Sequence, residues 1–469
     1  MKRNLLAKVT AFALSAAMSV TLLSGCGSKV SDKDEQGHTM ISIGAWPAKE
    51  GKSLDDANKQ KATFEANNPD VVIQPDNWTF DIKTFYAKAA GGQLPTLFNT
   101  HFTEVSQIID SGYSADLSPV LSKRGYDGVF NKDVLDIISK DGHIYAFPMA
   151  AYLLGLAYNT EMFEKAGLME ADGTPKQPKD WYEVAEFAQK IKVATGKAGI
   201  VFPTSTNNGG WIFTPVAWSF GAEFMKKDEN GKWKATFSSP ECAAALQYIK
   251  DLKWKYDVLP QNTLINSDEY YKLFSTGNAG MMIAAGDVAK SVVSYGMAPD
   301  QLGIMAMPAG PKKYVTLLGG GVYEVKAEAT EEQIDACLRW LEMTYSFKLT
   351  DDYKTNLQNS LERNIEKGQL VGIKSMSPWS QDVETVKYSN EMIDKYANSN
   401  INHVKLYNDF VANCPAKIQP EEPVCAQELY GILDNCIQEV LTNKDADCAT
   451  VLEKANSDFQ TNYLDNVDY

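Results

Sequence analysis

Short apolar runs alternate with helical patterns from residue 38 onward, and this alternation limits the fold more than any other feature. Strands alternate apolar with small or polar residues, whereas helices repeat apolar residues every three or four positions. The elements predicted in this way are a strand at 38–46, a helix at 53–67, a strand at 71–73, a helix at 82–90 and a strand at 94–98. This order predicts a parallel sheet of the α/β class. Such sheets bind ligands beyond the carboxyl ends of their strands, here near Trp46 and residues 99–101.

Helix signals continue the pattern through the rest of the chain. Asp180, Ser239 and Thr330 each stand as an N-cap before a helical pattern. Strand signals end near residue 350, and the remaining sequence is helical and polar. The sequence therefore predicts a helical C-terminal part that packs on an α/β lobe.

The amino terminus has the pattern of a secretory signal. Lys2-Arg3 precedes an apolar run at 5–23, which is the order of a positively charged region followed by an apolar region. The run ends in Leu23-Ser24-Gly25-Cys26, which resembles a bacterial lipobox. We therefore expect residues 1–25 to be removed, Cys26 to be lipidated as the first mature residue, and 26–38 to form a flexible polar tether.

Composition and charge exclude several classes of protein. The chain has 469 residues with 60 acidic and 45 basic side chains, and its formal net charge is −15. This charge repels phosphate backbones, so nucleic acid is not an expected partner. No segment after the signal is long and apolar enough to span a bilayer, so we expect membrane contact through the lipid anchor only.

The cysteines give no disulfide scaffold. Besides Cys26 there are six, of which Cys242 and Cys337 lie in apolar helical patterns and are predicted to be buried. The absence of a CxxC pair gives little support for a zinc site. Two residues eleven apart on one helix are ~16 Å apart, so a bridge has to cross a turn. Cys414–Cys425 and Cys436–Cys448 remain open as alternatives.

Several sequence blocks follow one another in a distinctive order. Residues 141–148 read Asp-Gly-His-Ile-Tyr-Ala-Phe-Pro, residues 162–168 read Met-Phe-Glu-Lys-Ala-Gly-Leu, and 274–283 hold a glycine turn before a strand. Residues 303–308 and the run Leu318-Gly319-Gly320-Gly321 come next. This ordered set resembles the extracellular solute-binding proteins of ABC importers, in particular the carbohydrate-binding family that includes maltose-binding protein. The resemblance covers nearly the whole chain after the signal.

The resemblance implies two α/β lobes joined by a hinge, with a ligand cleft between them. Placing the lobe crossings by the blocks gives a first lobe of 39–153 plus 303–348 and a second lobe of 154–302 plus 349–469. It also implies a monomer, lipid-anchored at the extracellular face of the cell membrane, that captures a sugar or oligosaccharide by hinge closure. The captured ligand is delivered to the permease subunits of an ABC transporter.

Sugar recognition needs aromatic faces against ring C–H groups and planar polar side chains for the hydroxyls. Trp46 and His101 follow predicted strands, and Trp211 lies in a polar, glycine-rich loop. Asp287 stands where many members of the family carry a stacking aromatic; it could accept hydroxyl hydrogen bonds, face a cationic group or cap the next helix. The candidate ligand-binding residues are Trp46, Trp78, Asn99, His101, Trp211, Asp287, Gly320 and Trp379.

Two other functions remain as alternatives. A ligand-sensing lipoprotein that docks on a receptor would have the same sequence features. An anchored glycoside hydrolase needs two carboxylates whose spacing is set by the fold rather than by the sequence. The HExxH and GxSxG patterns do not occur, and Gly319-Gly320-Gly321 lacks the dinucleotide-binding spacing. We therefore expect no enzyme activity, no cofactor and no metal.

Overall fold

The computed structural model describes residues 32–467. The predicted signal peptide and Cys26 lie outside the described residues. The strands are β1 (Thr39–Ile43), β2 (Val71–Pro75), β3 (Leu97–His101), β4 (Ser139–Lys140), β5 (His143–Ile144), β6 (Ala146–Leu153), β7 (Gly155–Asn159), β8 (Met225–Lys227), β9 (Trp233–Ala235), β10 (Met281–Ala284), β11 (Leu302–Met305), β12 (Val315–Val325) and β13 (Lys417–Pro420).

The helices surround these strands and connect them. They are α1 (Lys52–Asn67), α2 (Ile82–Ala90), α3 (Phe102–Asp110), α4 (Ser118–Lys123), α5 (Lys132–Ile138), α6 (Thr160–Lys165), α7 (Trp181–Thr195), α8 (Asn208–Phe220), α9 (Pro240–Trp254), α10 (Ser267–Ser275), α11 (Val288–Val293), α12 (Glu331–Glu342), α13 (Asp351–Glu366), α14 (Glu384–Lys395), α15 (Asn402–Ala412), α16 (Ala426–Thr442) and α17 (Cys448–Asn462).

The first sheet combines strands from distant parts of the chain. β1 pairs in parallel with β2 and with β3, which confirms the predicted parallel α/β start. The long β12 runs antiparallel to β3 on one edge and to β6 on the other. The short β13 pairs in parallel with the beginning of β12. The strand order is β13-β12-β3-β1-β2, with β6 beside β12.

The second sheet is smaller and antiparallel. β7 lies at its centre, with β10 on one side and β11 on the other. Helix α15 packs on β11, and α8, α9, α16 and α17 pack on one another. Because β6 of the first sheet leads directly into β7 of the second, these strands form one of the connections between the two lobes.

The chain divides between the lobes differently from the predicted boundaries in three places. β11 pairs with β7 of the second sheet, whereas the predicted first lobe resumes at 303. β13 interrupts the predicted helical C-terminal part, because it adds a strand to the first sheet. The backbone N–H of Asn131 donates to Pro378 O at 2.8 Å, and Ser380 N donates to Val129 O at 2.8 Å. The segment around 379 therefore packs on the first lobe, although 349–469 was assigned to the second.

The predicted helix caps are confirmed by side-chain hydrogen bonds. Asp180 Oδ1 accepts from Glu183 N at 2.9 Å at the start of α7. Thr330 and Gln333 form a capping box on α12, and the Ser239 side chain caps α9. These bonds satisfy backbone N–H groups that have no partner inside the helix, so short local patterns were enough to locate the helix starts.

The described residues contain neither a disulfide nor a membrane-spanning helix. All six cysteines between residues 32 and 467 have free thiols, so neither alternative bridge is formed there. Cys242 and Cys337 are buried, as predicted. Within the same range, no helix has both the length and the apolar content needed to cross a bilayer.

Candidate functional site

A cavity of about 270 Å³ opens between the first sheet and the second-lobe helices α8 and α16. We call it the inter-lobe cavity. Strands β3, β6 and β12 approach it from one side, and the amino end of α8 approaches it from the other. Its lining residues are His101, Thr103, Tyr152, Thr206, Asn207, Asn208, Trp211, Ser267, Gly320, Glu421, Gln427 and Tyr430. Three of the candidate residues, His101, Trp211 and Gly320, are therefore brought together at one cavity.

His101 is the last residue of β3, at the carboxyl end of a parallel strand. Its ring is exposed to the cavity, with the Phe80 ring 6.2 Å away in edge-on contact. Desolvation by the surrounding protein lowers the pKa of His101, which favours the neutral imidazole. Asn99, two residues earlier, is half-buried, and its Oδ1 is buried without a hydrogen-bond partner within 32–467. Asn99 does not line the cavity.

Gly320 is required by close packing of the strands around it. It lies on β12 opposite Ala151 of β6. A Cβ atom at this position would collide with the carbonyl oxygen of Ala150 and with the Phe102 ring. A side chain here would push β12 away from its neighbours, so glycine keeps this wall of the cavity in place.

The loop before α8 positions the aromatic side of the cavity. The buried Asp434 carboxylate accepts from Asn207 N at 2.7 Å and from Gly210 N at 2.8 Å, so it holds the amino end of the helix. Trp211 follows Gly210 and is half-buried. Its ring meets the Tyr152 ring edge-on, with the ring centroids 6.5 Å apart. The two rings form an aromatic corner whose members come from different lobes.

Glu421 is a carboxyl group of the cavity that the sequence analysis missed. The Tyr430 hydroxyl donates to Glu421 Oε1 at 3.0 Å, and the Trp211 side chain also hydrogen-bonds to this carboxyl. Burial, with a smaller contribution from the negative charge of Glu104, raises the pKa of Glu421 to about 7. The available signal was an acidic pair between two prolines, in Pro420-Glu421-Glu422-Pro423. Proline restricts the backbone at Pro420 and Pro423, so a carboxylate between these two residues has a defined direction.

Asp287 lies beside the inter-lobe cavity but does not line it. Its carboxyl is exposed, and its negative charge acts on Tyr152, Tyr271 and Tyr407. Desolvation raises its pKa, and Lys290 acts in the opposite direction. The side chain makes no cap hydrogen bond to α11, which removes support for the capping role.

Three candidate tryptophans are buried outside the inter-lobe cavity. Trp46 is 8% exposed and packs against Trp340, with ring centroids 6.0 Å apart. Trp78 is also 8% exposed and packs edge-on against Phe98 at 5.8 Å. Trp379 lies in an aromatic cluster of the first lobe and borders a different cavity. For Trp46 and Trp78, core packing replaces the binding role that the sequence analysis assigned to them.

Other polar residues of the cavity were also missed, among them Thr103, Gln427 and Tyr430. They come from α3 and α16, which are far apart in the sequence, so no local motif groups them. Across residues 32–467, no group of three or more His, Cys, Asp or Glu side chains is arranged to hold a metal ion. The described lining residues offer hydrogen bonding by hydroxyls, amides, the His101 imidazole and the Glu421 carboxyl, next to an aromatic corner.

The sequence profile of the bacterial extracellular solute-binding proteins matches residues 45–341, which is more than half of the chain. This chain belongs to that family. The solved GacH receptor of Streptomyces glaucescens, studied without ligand and with acarbose, superposes with a TM-score of 0.64 at 19% identity. The match covers 92% of this solute-binding protein and 99% of the GacH chain, which confirms the predicted two-lobed fold.

Curated relatives match a shorter part of this chain than the solved structure does. A binding protein of Brucella abortus is 24% identical over 281 residues, covering 59% of this chain and 64% of that protein. The sn-glycerol-3-phosphate-binding periplasmic protein of Escherichia coli is 24% identical over 289 residues, covering 58% of this chain and 63% of that protein. The solute-binding protein thus aligns with less than two thirds of the length of either relative.

Proposed function

We propose that this solute-binding protein captures a neutral carbohydrate or polyol in the inter-lobe cavity and delivers it to the permease of an ABC importer. The observation that carries the proposal is the lining of the cavity. Among its described side chains are two asparagines, a glutamine, hydroxyl groups, the Glu421 carboxyl and the Trp211–Tyr152 corner. Sugars offer hydroxyls to such amides and carboxyls, and C–H faces to such rings.

The same lining argues against an anionic ligand such as a glycerol phosphate. No lysine or arginine occurs among the described residues that line the inter-lobe cavity. A phosphate bound next to Glu421 would lose its hydration without gaining a cationic partner, and carboxylate and phosphate repel each other. The amino end of α8 favours an anion electrostatically, but the Asp434 carboxylate already accepts hydrogen bonds there from Asn207 N and Gly210 N.

Hinge closure is the expected way in which binding is transmitted. His101 and Gly320 belong to the first lobe, whereas Asn207 and Trp211 belong to the second. A ligand that contacts both groups favours the closed arrangement by its difference in affinity for the two states. The membrane-facing part of the proposal, lipidation of Cys26, rests on the sequence alone. We expect the protein to act as a monomer.

A thermal-shift screen tests the ligand class. The panel contains glucose, maltose, cellobiose, xylobiose and ribitol, with sn-glycerol 3-phosphate as the anionic comparison. A ligand at 100 times its dissociation constant adds about 2.7 kcal/mol to the free energy of unfolding, which is readily measured. We expect at least one neutral compound to raise Tm and the phosphate to leave it unchanged. Stabilisation by glycerol phosphate alone would contradict the proposal, and release of monosaccharide from maltose or cellobiose would support the hydrolase alternative.

A further inference from the structure

The Tyr152 ring of the aromatic corner lies against the backbone of the neighbouring strand. Tyr152 on β6 pairs with Gly319 on β12, so the two residues face the same side of the first sheet. A Cβ atom on Gly319 would overlap with Cε2 of the ring and would lie 2.6 Å from the Tyr152 hydroxyl oxygen. The ring therefore occupies the space in which any other residue at position 319 would place its side chain.

Space, rather than backbone conformation, requires glycine at this position. Gly319 does not have a positive φ, so alanine could adopt the same backbone conformation. The atoms that a Cβ would meet belong to the outer end of the Tyr152 side chain. At Gly320, by contrast, a Cβ would meet the backbone carbonyl oxygen of Ala150. A side chain at 320 thus displaces a strand, whereas a side chain at 319 displaces a ring.

No hydrogen bond holds the Tyr152 ring in place. The side chain is half-buried, and its hydroxyl has no hydrogen-bond partner within residues 32–467. Burial, together with the negative charges of Glu421 and Asp287, raises the pKa of Tyr152, so the hydroxyl stays protonated and can donate to a ligand. Packing against Gly319 and Trp211, rather than a hydrogen bond, therefore determines where this hydroxyl points.

We propose that Gly319 is a positioning residue of the ligand site, because its missing side chain leaves the space that holds the Tyr152 ring beside Trp211. This inference rests on the proposed function, since the position of Tyr152 matters for affinity only if the ligand binds in the inter-lobe cavity. Gly319 does not line that cavity, so it acts through Tyr152. With alanine at 319, the ring has to move away from β12, and its edge-on contact with Trp211 changes.

Calorimetric titration of Gly319→Ala with glucose, maltose, cellobiose, xylobiose and ribitol tests the inference. A compound that binds the wild type should bind this variant about 5- to 20-fold more weakly, because the displaced ring no longer fits the ligand. Tm without ligand should fall by less than about 2 °C, because the outer end of a side chain can shift. The matched control is Gly321→Ala on the same strand, where the nearest atom to a Cβ lies 3.3 Å away. This control should change the affinity less than about 2-fold.

A double-mutant cycle separates positioning of the ring from a general effect on the strand. Tyr152→Ala removes the ring, so adding Gly319→Ala to that variant should change its affinity less than about 2-fold. An equal loss of affinity with and without the ring would overturn the inference, as would unchanged binding by Gly319→Ala alone. A fall in Tm as large as that of Gly320→Ala would also overturn it, because the strand rather than the ring would then have moved. No binding of any of the five compounds to the wild type would contradict the proposed function and the inference with it.

Discussion

We expect Trp211 to bind the ligand and Trp46 to stabilise the core, although the sequence alone placed both side chains in the cleft. Trp46 is 8% exposed and packs against Trp340, whereas Trp211 is half-buried at the inter-lobe cavity. Trp46→Ala should therefore lower the free energy of unfolding without ligand by about 3–5 kcal/mol. Trp211→Ala should weaken sugar binding by about 1–3 kcal/mol, or roughly 5- to 150-fold, with a smaller effect on unfolding.

Two measurements on each variant decide between the roles. Urea unfolding without ligand gives the stability change, and calorimetry with the neutral sugar identified by thermal shift gives the affinity change. Trp211→Phe is the matched control, because it keeps a flat apolar ring but loses the N–H that bonds to Glu421. Its affinity should fall between those of the wild type and Trp211→Ala. Tight binding by Trp211→Ala together with strongly reduced stability would refute this assignment of roles.

Three further predictions concern charge, packing and anchoring. Burial raises the pKa of Glu422 to about 7, so its stabilising contribution is full below the ordinary glutamate pKa and is lost as pH rises toward 7. Between about pH 5 and about pH 8, the free energy of unfolding should therefore decrease by about 2–3 kcal/mol less in Glu422→Gln than in the wild type. An equal decrease in both proteins would contradict this prediction. Gly320→Ala should lower Tm and sugar affinity more than Gly321→Ala, where a Cβ atom meets only flexible or more distant atoms; equal effects would exclude the packing argument. Cys26→Ser should release the protein from membranes or leave an unprocessed precursor, as followed by detergent partitioning; unchanged partitioning would exclude the anchor.

Local signals predicted the parts of the fold that local interactions determine. β1, β2 and the caps at Asp180 and Thr330 depend on residues within a few positions, so the sequence located them. β13 has the sequence Lys-Ile-Gln-Pro, which contains a single large aliphatic side chain, and it is a strand because β12 pairs with it. Pairing between such distant segments has no local signature.

The candidate site was predicted in part for the same reason. His101 was found because strand ends mark ligand-facing positions in α/β folds. Trp211 does line the cavity, but the predicted glycine-rich loop around it is wrong, because Gly209, Gly210 and Trp211 lie near the amino end of helix α8. The burial of Trp46 depends on Trp340 from α12, and the contact of Glu421 with Tyr430 depends on how β13 leads into α16. These tertiary contacts decide which aromatic rings and carboxyls reach the ligand. The blocks that resemble the family identified the class of protein but not the lining of its cavities.

Small-angle X-ray scattering with and without a saturating sugar tests the central claim most directly. The claim is that a neutral sugar binds between the lobes and draws them together, since residues of both lobes line the inter-lobe cavity. The radius of gyration should decrease when the sugar that raises Tm is added, and Trp211→Ala should need more sugar for the same decrease. A saturating sugar that leaves the radius of gyration unchanged would contradict ligand capture by lobe closure.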